Sequence, residues 1–447
     1  MSPIFRKYTL SDLSDIYDGP HATPKKTSKG PIFLGISSLI NGRIDISATD
    51  FISEDDFLLW TRRIRPIYND IVFSYETRIG EAAIIPKNFK CCLGRRLGLL
   101  RVHRGKVEPR FLLYAYLGPA FQQTLRENTV HGSTVDRIPL KLMPQFEITI
   151  PDSIDEQRRI AHVLGTLDDK IENNRKTAKT LESMAQAIFQ SWFVDFDPVR
   201  AKMAGESPES ICKRLKLTPE ILDLFPDRLV DSELGEIPEG WGVGVFGDFA
   251  DIVGGSTPST NKPEYWLSGI HSWATPKDLS SLTMPVLLST ENKITDAGLQ
   301  QISSRLLPVG TVLLSSRAPI GYLAIAEIPV AINQGFIALK PHNYEYCIFL
   351  LFLIKHNMEE IISRANGSTF LEISKTKFRP MPVLFPMESI MRLFASLTMP
   401  LYRRLISLEK TTRTLSDQRG ALLPKLISGE IRVPDAEHLL EKSSLVT

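Results

Sequence analysis

The sequence predicts an α+β protein with two mixed α/β domains, each built on a twisted and mostly antiparallel sheet, separated by two long helices that form an antiparallel coiled coil. Three observations predict this fold class: an internal duplication, short strand-like runs in each copy, and an apolar seam at helical spacing after each copy. The predicted segments are a first domain at 1–151, a first helix at 152–196, a linker at 197–235, a second domain at 236–386, a second helix at 387–430 and a tail at 431–447.

The two halves of the chain repeat the same blocks in the same order. HGST at 131–134 recurs as NGST at 366–369, 235 residues later, and the other blocks recur at similar offsets. Chance similarity would not preserve this order, so the sequence predicts a duplication. The other paired blocks include LSDLSDIYDG (10–19) with FGDFADIVGG (246–255), DIVFSYETRIG (70–80) with TVLLSSRAPIG (311–321), and LGRRLGLLR (93–101) with INQGFIALK (332–340).

Each copy begins with a domain whose chemistry is typical of short strands. Apolar runs such as IFLGIS, IVFSY and TVLLSS are bounded by Gly, Pro, Asn and Asp, which indicates strands joined by many turns. Helices are predicted around 109–128 and 344–364, where apolar residues recur at spacings of three and four.

Each domain also carries polar loops suited to a nucleic acid, at 20–30 and 254–266. Lys can neutralise phosphates, and Arg, Asn and Gln can make paired hydrogen bonds to base edges. Residues 1–150 contain 21 basic and 15 acidic residues, and this excess of cations favours a polyanionic partner. An ordinary solvated turn is the alternative at each position. The candidate DNA-binding residues are Lys25, Lys26, Lys29, Arg95, Arg96, Ser259, Asn261, Lys262, Arg317 and Gln334.

Two arginine clusters of the first copy differ in whether they have a counterpart in the second copy. Arg95 and Arg96 occupy the place that Gln334 occupies in the second copy, which favours a shared role. A second cluster has no evident counterpart and is interpreted as a solvated face; it consists of Arg62, Arg63 and Arg65.

The first long helix is predicted from its start signal and its seam. Ser153 and Glu156 follow Pro151 at the spacing of a capping box. Steps of four and three with a single Asn are typical of a coiled coil, because a buried amide fixes the register. The predicted seam is Ile160, Leu164, Leu167, Ile171, Asn174, Ala178, Leu181, Ala185 and Ile188.

The second helix repeats this pattern with two prolines inside it. Pro400 predicts that the helix starts afresh or kinks there, and Pro424 predicts a disturbed last turn. A helix of about 38 residues reaches roughly 57 Å and needs a partner, so we expect the two helices to pair antiparallel. The alternative is that each helix packs only on its own domain. The second seam is Leu401, Leu405, Leu408, Thr412, Leu415, Arg419, Leu422 and Leu426.

The sequence lacks the strings that carry common enzyme chemistry. It has no Walker A string, no Asn/Asp-Pro-Pro-aromatic string and no HExxH or GxSxG string, so no catalytic site is predicted. The four cysteines form no C-x-x-C pair and no metal site is expected, while Asp168-Asp169-Lys170 is interpreted as solvated helix charge. No apolar run is long enough to cross a membrane and no secretory signal begins the chain, so a cytoplasmic protein is expected.

Several segments carry a resemblance to a known family. The helical stretch at 150–199 (IPDSIDEQRRIAHVLGTLDDKIENN…) and ALLPKLISGEIRV at 421–433 resemble the central and C-terminal helical regions of type I restriction–modification specificity subunits. GEIPEGWGVGVFGDFADIVGGSTPS at 235–259 and the stretch at 17–45 resemble the openings of that family's target recognition domains. The resemblance covers nearly all of the chain.

The resemblance implies that this chain recognises DNA but catalyses no reaction itself. Each target recognition domain would read one half of a split double-stranded DNA target, and the helices would act as a spacer. Two modification subunits would bring S-adenosylmethionine, and restriction subunits would bring the ATP- and Mg-dependent motor and nuclease. The chain itself would hold no cofactor, no metal and no catalytic residue. Pro400 departs from a smooth second helix, which questions whether the two spacers are equivalent.

Two other functions are compatible with parts of the sequence. A self-contained methyltransferase or restriction enzyme with fused recognition domains would require the cofactor and catalytic strings that are missing. A coiled-coil adaptor that reads no DNA would explain the helices but not two domains with polar loops.

Overall fold

The computed structural model describes residues 4–20, 23–132, 135–367 and 371–444. They form two compact units: unit 1 comprises residues 1–172 and 413–447, and unit 2 comprises residues 173–412. Unit 1 is therefore formed by two separate segments of the chain.

The two predicted long helices are the longest elements, with 40 and 41 residues. Short helices lie between the strands, as expected for a mixed α/β fold. The α-helices are α1 (Leu10–Leu13), α2 (Glu54–Trp60), α3 (Pro109–Leu117), α4 (Pro119–Glu127), α5 (Ile154–Phe193), α6 (Asp197–Met203), α7 (Pro208–Leu215), α8 (Pro219–Leu222), α9 (Phe246–Phe249), α10 (Pro276–Ser280), α11 (Asp296–Gln300), α12 (Cys347–His356), α13 (Met358–Ser363), α14 (Lys375–Phe378), α15 (Glu388–Ser428) and α16 (Val433–Ser444).

The strands are short and are separated by turns, as the Gly- and Pro-bounded apolar runs predict. They are β1 (Phe5–Thr9), β2 (Ser14–Asp18), β3 (Thr27–Leu34), β4 (Leu39–Ile40), β5 (Arg43–Ile44), β6 (Asp50–Phe51), β7 (Ile71–Ser74), β8 (Ala82–Ile84), β9 (Cys91–Leu93), β10 (Leu97–Val102), β11 (Glu147–Pro151), β12 (Leu229–Ser232), β13 (Gly235–Pro238), β14 (Gly242–Val245), β15 (Ala250–Gly254), β16 (His271–Ala274), β17 (Val286–Leu287), β18 (Asn292–Ile294), β19 (Val312–Ser316), β20 (Ile320–Ala326), β21 (Val330–Ile332), β22 (Phe336–Pro341) and β23 (Pro382–Phe385).

The strand orders of the two units correspond, except that the large sheet of unit 2 has one more strand, β17. Unit 1 has an antiparallel sheet in the order β2-β10-β7-β8, beside a sheet β6-β3-β9 and a pair β1-β11. Unit 2 has β15-β22-β19-β20-β17, beside β18-β16-β21 and the pair β14-β23. The duplication and the mostly antiparallel pairing predicted from the sequence are confirmed. The parallel pairs are β3 with β9, β16 with β21, and β17 with β20.

In unit 1 the long helices complete the core of the sheet. Phe111 and Leu112 of α3 are buried against the sheet together with Leu164 near the start of α5 and Leu426 near the end of α15. Helix α3 begins with Pro109, whose fixed φ suits the first helical position. The start of one long helix thus packs beside the end of the other.

In unit 2 the apolar run Cys347–Ile354 forms the buried body of α12. The ring of Phe193, the last residue of α5, lies 5.1 Å from Phe349 of α12 and 5.2 Å from Phe394 near the start of α15. The end of α5 therefore packs beside the start of α15, so the two helices run antiparallel, as predicted. Each helix also packs on the domain of each unit. The sequence had raised pairing of the helices and packing on a domain as alternatives, and the structure shows both.

The predicted capping box is only half formed. The Ser153 hydroxyl accepts a hydrogen bond from the Glu156 backbone N–H at 3.3 Å. The Glu156 carboxylate pairs with Arg159 instead of reaching back to the cap, and the Gln157 side chain donates to the Pro151 carbonyl at 2.8 Å. An ion pair one turn along the helix replaces the reciprocal half of the box.

Of the two alternatives raised by Pro400, a fresh start of the second helix is wrong, while a kink there stays a prediction. Helix α15 continues through Pro400 and Pro424 to Ser428. Met399 and Tyr402 beside Pro400 are buried, and the Tyr402 hydroxyl donates to Glu327 at 2.9 Å. Packing on both sides of the proline compensates for the lost backbone hydrogen bond.

The segment 197–235 is more ordered than a linker of short helices. Helices α6, α7 and α8 are present as expected, and Ala201, Ile211 and Leu222 form a small buried cluster between them. The hairpin β12-β13 follows and was not predicted from the sequence. No helix of the described residues is long and apolar enough to span a membrane.

Candidate nucleic-acid interface

Three turns of unit 1 lie at one edge of its antiparallel sheet. Strand β2 ends at Asp18, which pairs with Gly98 near the start of β10, and β10 begins opposite Ser74 at the end of β7. The turns that follow β2, follow β7 and precede β10 must therefore share this edge. We call it edge 1: residues 18–20, 23–26, 75–81 and 94–96.

The same three turns form the corresponding edge of unit 2. Strand β15 ends at Gly254 opposite Ile337, and β19 ends at Ser316, whose N–H donates to the Gly335 carbonyl at 2.8 Å. We call this edge 2: residues 254–262, 316–320 and 333–335.

A glycine begins the first turn of each edge because the chain passes close to the neighbouring strand. A Cβ on Gly19 would lie 2.5 Å from the Leu97 carbonyl oxygen, and a Cβ on Gly255 would overlap the Ile332 carbonyl. Gly19 donates its N–H to Leu97 at 2.9 Å. These contacts hold the polar loops predicted from the sequence against the sheet edge.

The cations of edge 1 differ in how far they are already paired. Arg95 is exposed at the tip of the turn before β10 and has no hydrogen-bond or ion-pair partner among the described residues. Arg96 is half-buried with φ 76°, pairs with Glu76 at 3.1 Å and donates to the Thr77 hydroxyl at 3.1 Å. Arg96 therefore braces the turn, while Arg95 is available to a ligand.

The predicted lysines of unit 1 are all exposed. Lys26 pairs with Asp50 at 2.8 Å, and this surface pair is solvated on both sides. Lys25 precedes β3, and Lys29 lies on β3 itself, next to edge 1 rather than on it. The three ammonium groups can meet a polyanion without breaking a buried contact.

Edge 2 brings most of the predicted residues of unit 2 together. Gln334 is exposed, and its Oε1 accepts a hydrogen bond from the Thr257 hydroxyl at 2.6 Å, which joins the turn before β22 to the polar loop. Ser259 and Asn261 are exposed on that loop. Lys262 lies 5.2 Å from the centre of the Tyr265 ring, and a hydrogen bond from its ammonium group to the Tyr265 hydroxyl raises the pKa of Lys262.

Arg317 belongs to a pair whose charges are reversed in the other unit. Its guanidinium lies 3.7 Å from the Glu372 carboxylate, and the two backbones form an isolated β-bridge. In unit 1 the equivalent bridge joins Glu76 and Arg137. The aligned blocks DIVFSYETRIG and TVLLSSRAPIG place Glu76 opposite Arg317, so this reversal was visible in the sequence.

The described residues of the repeated HGST and NGST loops, 131–132 and 366–367, lie beside these bridges. Residues 133–134 and 368–370 are outside the described residues, so the Ser and Thr of both loops are not placed.

The predicted seam residues are mostly buried, which suits a helix pair held by apolar contacts. Leu181, Ile188, Leu401 and Leu415 are half-buried, and the Asn174 amide nitrogen has no hydrogen-bond partner among the described residues. The buried members are Ile160, Leu164, Leu167, Ile171, Asn174, Ala178, Ala185, Leu405, Leu408, Thr412, Leu422 and Leu426.

Asp168 is not the solvated helix charge that the sequence indicates. Its side chain is only 14% exposed; it pairs with Arg43 at 3.1 Å and Arg419 at 3.5 Å, and it accepts the Tyr114 hydroxyl at 2.7 Å. Asp169, by contrast, is 70% exposed and pairs with Arg110 at 2.7 Å. Asp168 therefore joins α5, α15 and the domain of unit 1, which is a structural task.

The described residues contain no group of three or more His, Cys, Asp or Glu side chains that could hold a metal ion. Cys91, Cys92 and Cys347 are buried thiols, and burial raises the pKa of Cys347 to about 12. A thiol so protonated is a poor nucleophile and a poor metal ligand.

The chain is similar to known proteins along most of its length. Residues 6–183 and 238–414 each match the family model described as "Type I restriction modification DNA specificity domain". The chain is 26% identical over 335 residues to the type I restriction enzyme HindI specificity subunit of Haemophilus influenzae, covering 67% of this chain and 72% of that subunit. It is 38% identical over 159 residues to the MjaIX specificity subunit of Methanocaldococcus jannaschii, covering 35% and 36% of the two chains.

A solved structure shares the fold. The crystal structure of the type I restriction–modification system S subunit from M. genitalium aligns with a TM-score of 0.57, covering 95% of this chain and 99% of that one. Sequence identity in this alignment is 17%.

Proposed function

Because the chain belongs to the family of type I restriction–modification DNA specificity subunits, we propose that each unit reads one half of a split double-stranded DNA target. Edge 1 and edge 2 are the reading surfaces. The observation that carries this proposal is that corresponding strand orders bring the same three turns to one edge in both units, while the side chains on those turns differ. Two copies of one fold that carry different side chains on their turns suit a target whose two halves differ in sequence.

The residue types at the two edges fit the chemistry of a duplex. Lys25, Lys26, Lys29 and Lys262 are exposed cations for the phosphates, which fix the position of a protein on DNA. Arg95 and Gln334 are exposed at equivalent turns and can reach base edges in the major groove. Ser259, Asn261 and Arg317 complete the set proposed for edge 2.

The helices α5 and α15 set the spacing between the two half-sites in this proposal. Their seam is buried, which leaves polar outer faces on which two modification subunits dock. Those subunits bring S-adenosylmethionine and the methyl-transfer chemistry, and restriction subunits bring the ATP- and Mg-dependent motor and nuclease. The chain itself is a non-catalytic reader that acts in the cytoplasm, where the host DNA is.

Methylome sequencing tests this function. Host cells with the chain should methylate one bipartite sequence, and deletion of the chain should abolish methylation at that sequence alone. The purified chain, given S-adenosylmethionine without other subunits, should transfer no methyl group. Methylation by the isolated chain, or an assembled complex that binds all duplexes equally in competition assays, would contradict the proposal.

A further inference from the structure

The short helix α14 of unit 2 begins directly beside edge 2. Just before this helix, the backbone of Glu372 bridges that of Arg317, and the Ile373 N–H donates to the Ser316 carbonyl at 3.0 Å. Arg317 and Ser316 belong to edge 2, so these contacts fix α14 to that edge. The exposed cations of this segment are Lys375, Lys377 and Arg379.

Two of these three cations are already engaged. The Lys377 ammonium group donates to the Arg364 carbonyl at 3.0 Å. The Arg379 guanidinium donates to the Ile252 carbonyl of β15 at 2.9 Å. Both side chains therefore hold α14 to the domain, whereas the Lys375 ammonium group has no hydrogen-bond or ion-pair partner among the described residues.

The Lys375 side chain lies over Gly254, the first residue of edge 2. A Cβ on Gly254 would lie 3.1 Å from both the Cε and the Nζ of Lys375. Because glycine has no side chain, the end of the lysine can lie close to the backbone at this point. The ammonium group is therefore at the strand end where the polar loop of edge 2 begins.

The other cations at edge 2 already have neighbours that they bind. The cations within the edge itself are Lys262 and Arg317. Lys262 donates to the Tyr265 hydroxyl at 3.3 Å, and the Arg317 guanidinium lies 3.7 Å from the Glu372 carboxylate. Of these two cations and Lys375, only Lys375 can bind an anion without first giving up a contact among the described residues.

The duplication shows that this lysine belongs to unit 2 alone. The equivalent bridges place Arg137 opposite Glu372, 235 residues later, and the strands β11 and β23 that follow begin at the same offset. Lys375 therefore corresponds to Leu140 of unit 1, which is half-buried against the core. Unit 1 has exposed lysines in the loop after β2 instead. The two units thus carry free cations on different segments beside the same edge.

We propose that Lys375 binds a backbone phosphate of the half-site read by unit 2 and so positions that unit on the duplex. An ammonium group is a compact positive charge that can neutralise a phosphate. Phosphate contacts fix the register of a protein on DNA without carrying sequence information. The bases of this half-site are read by other residues of edge 2. This inference rests on the proposed function, because it requires that edge 2 faces DNA.

The first test measures the salt dependence of DNA binding by the full chain assembled with its modification subunits. The variants are Lys375→Ala, Lys375→Arg and, as a control, Lys213→Ala. Lys213 is matched to Lys375 because it is also an exposed lysine without a partner among the described residues, but it lies on α7, outside the sheets of unit 2. Affinity is measured between about 50 and 200 mM salt on the methylated target sequence and on a scrambled duplex.

Each phosphate contact contributes about 0.9 to the slope of log affinity against log salt. Lys375→Ala should therefore make the slope shallower by about 0.9, which is about 3.5-fold of the salt-induced loss of affinity over this range. The change should be equal on both duplexes, because every sequence has the same phosphates. Lys375→Arg should keep the slope, since it keeps the charge, and Lys213→Ala should leave it unchanged.

The second test locates the phosphate. Uncharged methylphosphonate groups replace single phosphates of the target duplex, one position at a time. At one position in the half read by unit 2, the replacement should weaken binding of the unsubstituted complex but not of the Lys375→Ala complex. Replacements elsewhere should affect both complexes equally.

Three outcomes would overturn the inference. An unchanged slope in Lys375→Ala would show that this lysine contacts no phosphate. A methylphosphonate position of the expected kind in the other half-site would show that Lys375 does not position unit 2 on its own half. A changed target sequence in Lys375→Ala would make the lysine a base reader instead. Failure of the proposed function is distinguishable, because the unsubstituted complex would then show no preference for the target over the scrambled duplex.

Discussion

Arg95 and Gln334 occupy the same turn in the two units, yet they offer different hydrogen-bonding groups. A guanidinium presents two donors, which match the O6 and N7 acceptors of guanine in the major groove. A carboxamide presents one donor and one acceptor, which match N7 and N6 of adenine. The Thr257 hydroxyl holds the Gln334 Oε1, which orients the amide and leaves its Nε2 free to donate.

Substitution of either residue should relax one position in one half-site. We expect Arg95→Ala to lose the preference for a guanine in the half read by unit 1, and Gln334→Ala to lose the preference for an adenine in the other half. The loss of discrimination should be about 5- to 150-fold, because a paired contact contributes roughly 1–3 kcal/mol. Selection from duplexes randomised in both halves measures this directly. Unchanged preferences at every position, or changes in both halves at once, would show that these residues do not read bases.

Asp168 should matter for stability far more than its neighbour. Asp168→Ala leaves Arg43 and Arg419, which are 21% and 17% exposed, without their shared carboxylate. Removal of one member of a largely buried charge cluster costs about 3 kcal/mol. Asp169→Ala is the matched control and should cost under about 1 kcal/mol, because that pair is exposed. The urea midpoint of unfolding of each variant measures this difference. Equal midpoints for Asp168→Ala and Asp169→Ala would mean that the cluster does not hold the helices to the domain.

The sequence predicted which polar residues lie on exposed loops, but it did not predict which residues they pair with. Lys25, Asn261 and Gln334 are exposed because polar loops between apolar strands face water, and that much follows from local pattern. The bracing of Arg96 by Glu76 depends on the pairing of β10 with β7, and the burial of Asp168 depends on Arg43 and Arg419, which are distant in the chain. Contacts of that kind are fixed by tertiary packing, which one sequence does not display.

At the scale of elements, apolar periodicity predicted the two long helices correctly. The rule that a proline ends a helix failed at Pro400. The steps of four and three predicted α5 and α15 because an apolar stripe must be covered. Pro400 argued for a break, since a helical proline costs about 3 kcal/mol. Helix α15 continues because Phe394, Met399 and Tyr402 are buried on its inner face while Pro400 itself is exposed. Burial of several large side chains outweighs one lost hydrogen bond.

The length of the helix pair should set the gap in the target. Seven residues inserted after Ala178 in α5, together with seven after Leu408 in α15, preserve the seam because both residues are buried in the same core of unit 2. The insertion adds about 10.5 Å of helix, or about three base pairs at 3.4 Å each. The methylated sequence should keep both halves and gain about three unread pairs between them.

Insertion of four residues at the same two points is the control. Four residues break the heptad register, so this variant should lose stability rather than define a new gap. A seven-residue variant that folds and still methylates the original spacing would contradict the role of the helices as spacers.

At the scale of the whole molecule, unit 1 is built from two separate parts of the chain, whereas unit 2 is one continuous segment. Unit 1 needs the start of α5 and the end of α15, because Leu164 and Leu426 are buried in the same core as Phe111. Hydrophobic periodicity locates a helix but does not say which body each of its turns packs against. A domain exchange should therefore replace all residues that form one core, even where they are not continuous in sequence.

Exchange of unit 1 for that of another family member should change one half of the target and leave the other half intact. Replacing residues 1–172 together with 413–447 keeps every buried contact of that core within one parent. Replacing residues 1–150 alone sets a foreign α3 against the native Leu164 and Leu426, and mismatched core packing typically costs 1–3 kcal/mol. We expect the two-part exchange to unfold at the denaturant midpoint of its parents and to methylate a hybrid target, and the single-segment exchange to unfold earlier. Methylome sequencing and urea unfolding of both chimeras measure the two effects. If the two-part chimera altered both half-sequences, the units would not read independently; if both chimeras were equally stable, the helices would not belong to the core of the reading unit.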